Sequence, residues 1–262
     1  MLDASVQRAF SLAAHSYDAA AGIQQASARA LLAMLPETAP RRALDIGCGT
    51  LPLIRPLRAA FDTCHWLALD VSTAMLAEAR DRGRCDEQVS LVCADAEALP
   101  LASASVDLVY SSFALQWAAS PERAVAEAAR VMTPGATLAL CLPLAGSLAE
   151  LRDSWAQADA GEHVNALAPL TRWQQALASA GLGMDVSQQV QVVEYYDDVR
   201  AVATMLRTTG AHVVRGRAGG LVSPRRFARM QAAYERRRQT RGLPLTWQVG
   251  YLVAHKPAAD SL

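Results

Sequence analysis

The sequence predicts an α/β fold, a mostly parallel sheet with helices on both faces. Three observations predict it. Short apolar runs alternate with amphipathic segments along residues 42–142. The run over 136–142 is almost unbroken, as a central parallel strand buried on both faces requires. Glycine or aspartate stands at the end of the first three runs, where the loops of such a sheet gather along its carboxyl edge.

Val6, Phe10, Ala13, Ala14 and Tyr17 recur at helical spacing, predicting a helix through Tyr17. A second helix is expected from Gln24 to Leu35, stopped by Pro36. Arg42–Ile46 reads as a strand ending in a glycine turn, and residues 53–61 as a helix whose start Pro52 and Pro56 confine. Residues 66–69 form the next strand. Ser72 then caps a helix running to Arg82, with Glu78 and Arg82 spaced for an ion pair. Val89–Cys93, 106–111 and 136–142 are further strands, and Pro121 opens the helix between the last two. Helices are expected near 147–160 and 170–180, and a strand near 190–195. Residues 197–242 read as two helices, split at Gly219-Gly220 and restarted by Ser223-Pro224. Residues 246–254 alternate like a closing strand.

Composition bounds the function. Of 262 residues, 52% are hydrophobic and 19% charged, which suits a packed core and argues against disorder. No apolar stretch reads as a membrane span, and the amino terminus lacks the basic start and apolar run of a signal peptide. The five scattered cysteines form no CxxC pair, as expected of reduced thiols in a cytoplasmic protein, and no metal-ligand spacing appears. The net charge of zero hides a division. Residues 1–199 carry 13 basic against 23 acidic side chains, whereas residues 200–262 carry 12 against 2, including Arg215, Arg217, Arg225, Arg226, Arg229, Arg236, Arg237, Arg238 and Arg241. Such an end is either a solvated helix face or a docking surface for something acidic.

The loop at residues 44–50 carries the first chemical signal. Gly47 and Gly49 let the backbone turn sharply and approach a ligand. A dinucleotide-binding loop would want a further glycine at position 52, where this chain has proline, and Asp45 would repel a diphosphate. An acid there suits a cationic amino-acid head group. Asp70, at the end of the second strand, can accept from two ribose hydroxyls. Asp95, after the third, can meet an adenine amino group, with the Ala96 amide opposite a ring nitrogen. Three acids at three successive strand ends thus match amino acid, ribose and adenine. Each alone is also what a solvated loop or a helix cap would show.

Through LDIGCGT, ALDVS, ADAEALPL and DLVYSSFALQW, residues 42–142 resemble the class I S-adenosylmethionine-dependent methyltransferases. The resemblance implies a Rossmann-like, seven-stranded, mostly parallel sheet with an antiparallel last strand. It also implies an N-terminal helical lid and a helical insertion before that strand. It assigns cofactor contacts to Asp45, Gly47, Cys48, Gly49, Asp70, Val71, Met75, Asp95 and Ala96, and sets Ser111 near the sulfonium. These loops usually have glycine where this chain has Leu51, so the backbone there is expected to sit slightly farther from the methionine moiety.

A longer resemblance joins FSLAAHSYD at 10–18, Gln24, LLAML at 31–35, ALQW at 114–117, GSLAEL at 146–151, LRTTGA at 206–211 and LPLT at 243–246. In that order they are similar to the malonyl-acyl-carrier-protein O-methyltransferases of biotin synthesis. The family implies methylation of the free carboxyl of a malonyl thioester, giving the ester that primes pimeloyl synthesis, with malonyl-acyl-carrier protein or malonyl-CoA as partner. Where that opening helix usually carries a basic residue, this chain has Leu12. The expected layout is a lid over 1–36, a cofactor-binding core over 37–196, a basic substrate and carrier-protein lobe over 197–242, and a closing strand and tail over 243–262. A monomer without nucleic-acid or membrane partners is expected. Arg207 is the candidate clamp on the malonyl carboxylate, since guanidinium matches carboxylate in bidentate fashion. Tyr17 would fold over the sulfonium, and Gln116 and Trp117 would line the acceptor pocket. The competing readings are a methyltransferase for a quinone precursor or another carboxylic acid, a nucleic-acid methyltransferase, and a cofactor-binding protein without turnover.

Overall fold

The apolar runs assemble into one sheet in the computed structural model, which describes residues 3–214 and 222–258. Its strands are β1 (Arg42–Ile46), β2 (His65–Asp70), β3 (Val89–Cys93), β4 (Val106–Ser112), β5 (Met132–Pro143), β6 (Gly183–Tyr196) and β7 (Leu243–His255). Their order is β3-β2-β1-β4-β5-β7-β6. The first five are parallel, and β7 enters between β5 and β6 antiparallel to both. The seven-stranded sheet with an antiparallel last strand is therefore as the sequence predicts. Strand order reverses between β1 and β4, so the loops leaving their carboxyl ends part and open a crevice.

Among the described residues the helices are α1 (Ala4–Ala13), α2 (Tyr17–Ala20), α3 (Gly22–Leu32), α4 (Ile54–Ala60), α5 (Thr73–Asp81), α6 (Pro121–Val131), α7 (Ala149–Ala156), α8 (Leu170–Ser179), α9 (Val199–Thr208) and α10 (Pro224–Glu235). None is long and apolar enough to cross a membrane. The cap signals act as read. Ser72 Oγ accepts from the Met75 amide, Ser223 caps α10, and Ser120 caps α6 with Pro121 in its first turn. Glu78 and Arg82 pair at 2.6 Å.

Two cores form, one on each side of the sheet. Leu44, Ile46, Val109 and Leu138 meet Val125, Ala128, Trp173 and Leu177 of α6 and α8 on one side. Ala43, Trp66, Ala68 and Tyr110 meet side chains of α3, α4, α5, α7, α9 and α10 on the other. Alternation along each strand decides the side. Asp45 lies level with Ala68 and Tyr110 in neighbouring strands, and so faces the α3–α4 side.

Three elements differ from expectation. The opening helix breaks over residues 14–16, leaving Tyr17 to start the separate one-turn α2, and α3 begins at Gly22 rather than Gln24. β6 is 14 residues long, beginning seven residues before the expected start. It is an edge strand paired only with β7, and its outward Ser187, Gln188, Gln189 and Gln191 interrupt the apolar signal. Gly219 and Gly220 lie outside the described residues.

Candidate active site

Three cavities meet at Tyr17 in the crevice between β1 and β4. A cavity of about 90 Å³ runs over the ends of β1, β2 and β3 and is lined by Gly47, Gly49, Asp70, Val71, Met75, Asp95 and Ala96. A smaller one of about 50 Å³ lies beside it, walled by Asp45, Cys48, Gln24, Tyr110 and Ser112, with Gly47 and Gly49 shared. A third, of about 270 Å³, is largely apolar and extends under α7, α9 and α10. Tyr17 borders all three.

The loop after β1 is held in place by its neighbours. The amides of Gly47 and Cys48 donate to the Leu69 carbonyl, and the Gly49 amide donates to Asp70 Oδ2 at 2.9 Å. Gly47 has φ +74°, and a Cβ there would stand 2.1 Å from the Ala114 methyl, so only glycine fits. Gly49 has φ +54°, and a Cβ added to it meets nothing within 4 Å, so its backbone faces open cavity. Asp70 also accepts from the Ser72 amide at 2.8 Å. Burial raises its pKa although these bonds oppose the shift.

Asp45 carries the sharpest electrostatic signal. Its side chain is buried, and no hydrogen-bond donor among the described residues reaches its carboxyl. Burial first, then the charge of Asp70, pushes it up to about 7. A buried carboxylate without a donor lacks a cation. S-adenosylmethionine, the group that the family resemblance implies, fits this donor set. Asp45 would hold the ammonium, Asp70 the ribose hydroxyls and Asp95 the adenine edge, while Met75, Ala94 and Leu115 supply apolar walls.

The N-terminal helices roof the crevice. Phe10 packs near Tyr17, with ring centroids 6.5 Å apart, and meets Trp117 edge to face at 5.5 Å. Asp18, next to Tyr17, fastens this roof to the core. It accepts from Thr50 Oγ1, from Arg82 at 2.8 Å and from Arg84 at 2.6 Å. Burial and the charges of Asp70 and Asp18 push the Tyr17 phenol well above its ordinary value, so it remains a donor.

Most of the residues named from the sequence come together here. Gln116 lines the large cavity, and Trp117 borders both it and the nucleoside-sized one. Two are placed elsewhere. Ser111 lies on the α6–α8 side of the sheet, fully buried, and donates to the Ile46 carbonyl at 2.8 Å. Its neighbour Ser112 faces the cavity with Asp45, because adjacent strand residues point to opposite sides. Arg207 is exposed and lies outside the cavity lining, where α9 instead presents Val199, Ala203 and Leu206. Its charge is felt at His212, whose pKa is lowered by burial and then by Arg207. Leu51 adopts φ +58°, the conformation a glycine would take, and buries its side chain in the core. It borders neither of the cavities beside the β1 loop.

Sequence reasoning missed the depth of the large cavity. His163 stacks on Trp155 at 3.7 Å and bonds Asp159 at 2.8 Å, while Phe113 sits edge to face with Trp247 at 6.0 Å. These residues come from three separate segments, around 113, 155–163 and 247, so no single local motif joins them. Gln24 was visible only as part of a family pattern, yet it borders both the small and the large cavity.

Residues 44–140 match the model of a family described as a methyltransferase domain. A malonyl-[acyl-carrier protein] O-methyltransferase of Alcanivorax borkumensis is 48% identical over 254 residues, covering 97% of this chain and 86% of that protein. One of Laribacter hongkongensis is 37% identical, covering 97% of this chain and 89% of its own length. Among solved structures, a Bacillus halodurans C-125 protein assigned as a methyltransferase superimposes with a TM-score of 0.65 at 17% identity, covering 88% of this chain and 98% of that one. At that identity the likeness concerns the fold.

Proposed function

We propose, because this chain belongs to the malonyl-[acyl-carrier protein] O-methyltransferase family, that it methylates the free carboxyl of malonyl-acyl-carrier protein with S-adenosylmethionine. The product is the methyl ester that primes pimeloyl synthesis for biotin, made in the cytoplasm with the carrier protein. The observation that carries the reading is the junction at Tyr17, which borders a small cavity walled by Asp45, a second walled by Asp70 and Asp95, and an apolar cavity large enough for an acyl chain.

S-adenosylmethionine supplies a methyl on a sulfonium, with a neutral thioether as leaving group. The protein's part is placement. A malonyl carboxylate is already ionised near neutral pH, so no base has to remove a proton. Phe10, Tyr17 and Trp117 close over the junction and exclude water, and such alignment is worth several kcal/mol of barrier. Asp18 fixes the roof, and with it the Tyr17 ring, through Thr50, Arg82 and Arg84. Leu148, Leu151 and Val199 offer the apolar wall along which the thioester arm would lie.

The carrier protein would dock on the amino-terminal half of α10. Arg236, Arg237 and Arg238 are engaged with Gln157, Asp153 and Glu235, and Arg241 stacks on Tyr195. Arg225 and Arg229 are exposed and make no ion pair among the described residues, and Arg226 reaches Asp159 only at 3.8 Å. On the same helix the buried Met230 lines the large cavity. Arg215 and Arg217 lie outside the described residues. An acidic carrier would be steered to such a surface.

The test incubates the purified chain with S-adenosylmethionine and malonyl-acyl-carrier protein and looks by mass spectrometry for the gain of one methyl. No gain, with cofactor binding intact, refutes the assignment. Reversing charge at Arg225 and Arg229 should weaken use of the carrier-bound substrate at least tenfold while sparing malonyl-CoA. Equal loss on both substrates refutes the docking face.

A further inference from the structure

We propose that Gln24 and Gln116 hold the acceptor carboxylate with neutral side-chain amides, and that Gln24 sets the preference for an acyl group ending in a carboxylate. The proposal rests on the methyltransferase reading above and names the groups that select its acceptor.

Gln24 stands in the first turn of α3 and is shared by the small cavity that holds Asp45 and the large acceptor cavity. Neither atom of its amide makes a hydrogen bond among the described residues, and its Oε1 is buried without a partner. Gln116 lies in the 3-10 turn Leu115–Trp117 after β4. Its Nε2 donates to the Phe113 carbonyl at 2.7 Å, and its Oε1 is likewise buried without a partner. A buried amide left unpaired costs about 1–3 kcal/mol, so two bordering one cavity mark a place that a polar ligand completes. Rotating the Gln24 amide by 180° exchanges its oxygen and nitrogen and turns an orphaned acceptor into a donor, whereas Gln116 keeps its Nε2 on the Phe113 carbonyl and has that nitrogen's second hydrogen to offer.

The charge inventory favours amides over a guanidinium. Among the described residues that line the acceptor cavity there is neither lysine nor arginine, and His212 is held toward its neutral form. This suits the chemistry. As the carboxylate oxygen forms its bond to the methyl carbon, the carbon–sulfur bond breaks and its electron pair goes to sulfur. No proton moves, and the attacking group passes from an anion to a neutral ester. A fixed cation on that carboxylate would bind the reactant more strongly than the transition state and would slow the step. Neutral donors orient the carboxylate with a smaller penalty. An acetyl group lacks the terminal carboxylate, placing a methyl where its oxygens would meet these amides and leaving them unpaired, which is the stronger form of discrimination.

The experiment compares wild type with Gln24→Leu and Gln116→Leu. Equilibrium binding of malonyl-CoA and of acetyl-CoA is measured by calorimetry, beside the affinity for S-adenosylhomocysteine and the kcat and KM for malonyl-acyl-carrier protein. Each variant is expected to lower malonyl-CoA affinity roughly 10- to 100-fold while acetyl-CoA affinity changes by less than about threefold, collapsing the preference. S-adenosylhomocysteine affinity should hold within about threefold, which also shows that the variant is folded. A preference unchanged in both variants overturns the proposal, as does a Gln24→Leu loss confined to S-adenosylhomocysteine, which would assign Gln24 to the methyl donor. Wild-type protein that binds S-adenosylhomocysteine but never methylates the malonyl group would instead sink the reading of function.

Discussion

Asp45→Asn tests the methyl-donor site through its pH dependence. The Asp45 carboxyl is raised from 3.8 to about 7 by burial and by Asp70, and a cationic ammonium needs its ionised form. A carboxyl with a pKa of about 7 is about 3% ionised at pH 5.5 and about three-quarters ionised at pH 7.5. Binding should therefore weaken about 20-fold between pH 7.5 and 5.5 and release close to one proton at the lower pH. The assay is titration calorimetry with S-adenosylhomocysteine, in two buffers of different ionisation enthalpy so that protons are counted. Asp70 also has a raised pKa, but its carboxyl is held by two backbone amides and would meet uncharged hydroxyls. The variant should accordingly lose most of the slope and bind roughly 10- to 100-fold more weakly at pH 7.5. The same shift predicts stability without ligand. Between pH 4 and 7 the folded chain binds more protons at Asp45 than the unfolded one, so stability falls as pH rises through that window. A shift of three units is worth at most about 4 kcal/mol, so the variant should melt higher than wild type at pH 8 and similarly at pH 4. A wild-type affinity flat from pH 5.5 to 7.5 would refute the assignment of Asp45 to the ammonium.

Arg207→Ala should leave kcat and KM with malonyl-CoA within about threefold, since the guanidinium lies outside the cavity lining. A hundredfold loss of kcat would restore it as the clamp. Leu51→Gly should relieve a left-handed strain of about 1–2 kcal/mol but give up about 2–3 kcal/mol of burial. Its net loss of stability by urea titration should be no more than about 2 kcal/mol, with S-adenosylhomocysteine affinity unchanged. A large loss of affinity would mean that Leu51 shapes the ligand site after all.

The strands and their acids were legible because both signals are local. An apolar run of five residues that ends in Asp45-Ile46-Gly47 or in Asp70 fixes a strand and the edge at which it stops, and the edge is where parallel sheets bind ligands. What failed needed a neighbour. Ser111 and Ser112 are chemically alike, and only the pairing of Tyr110 with Asp45 decides which of them shares the Asp45 face. Arg207 follows Leu206 on a helix whose inward stripe depends on what packs against it, and those partners, α2, β6 and α10, are separate elements that no local pattern names. β6 hid its length for the converse reason, since one flank of an edge strand stays in water and its glutamines break the apolar pattern.

The two halves of the site therefore rest on different kinds of order. The donor half is written at strand ends, and its charge has a physical logic of its own. The ionised form of Asp45 is disfavoured by burial and by Asp70, and an ammonium bound there would offset that cost. The acceptor half is assembled from the α1–α3 roof, the turn after β4 and the helices before β7, and among the described residues its lining holds the Gln24 and Gln116 amides and neither lysine nor arginine. A sulfonium meeting a carboxylate already carries opposite charges that vanish together, and a further fixed charge on the acceptor side would favour the reactants. Acidity at the donor end and neutrality at the acceptor end is the distribution that this reaction calls for, and among the described residues Arg207 accordingly stands outside the cavity lining.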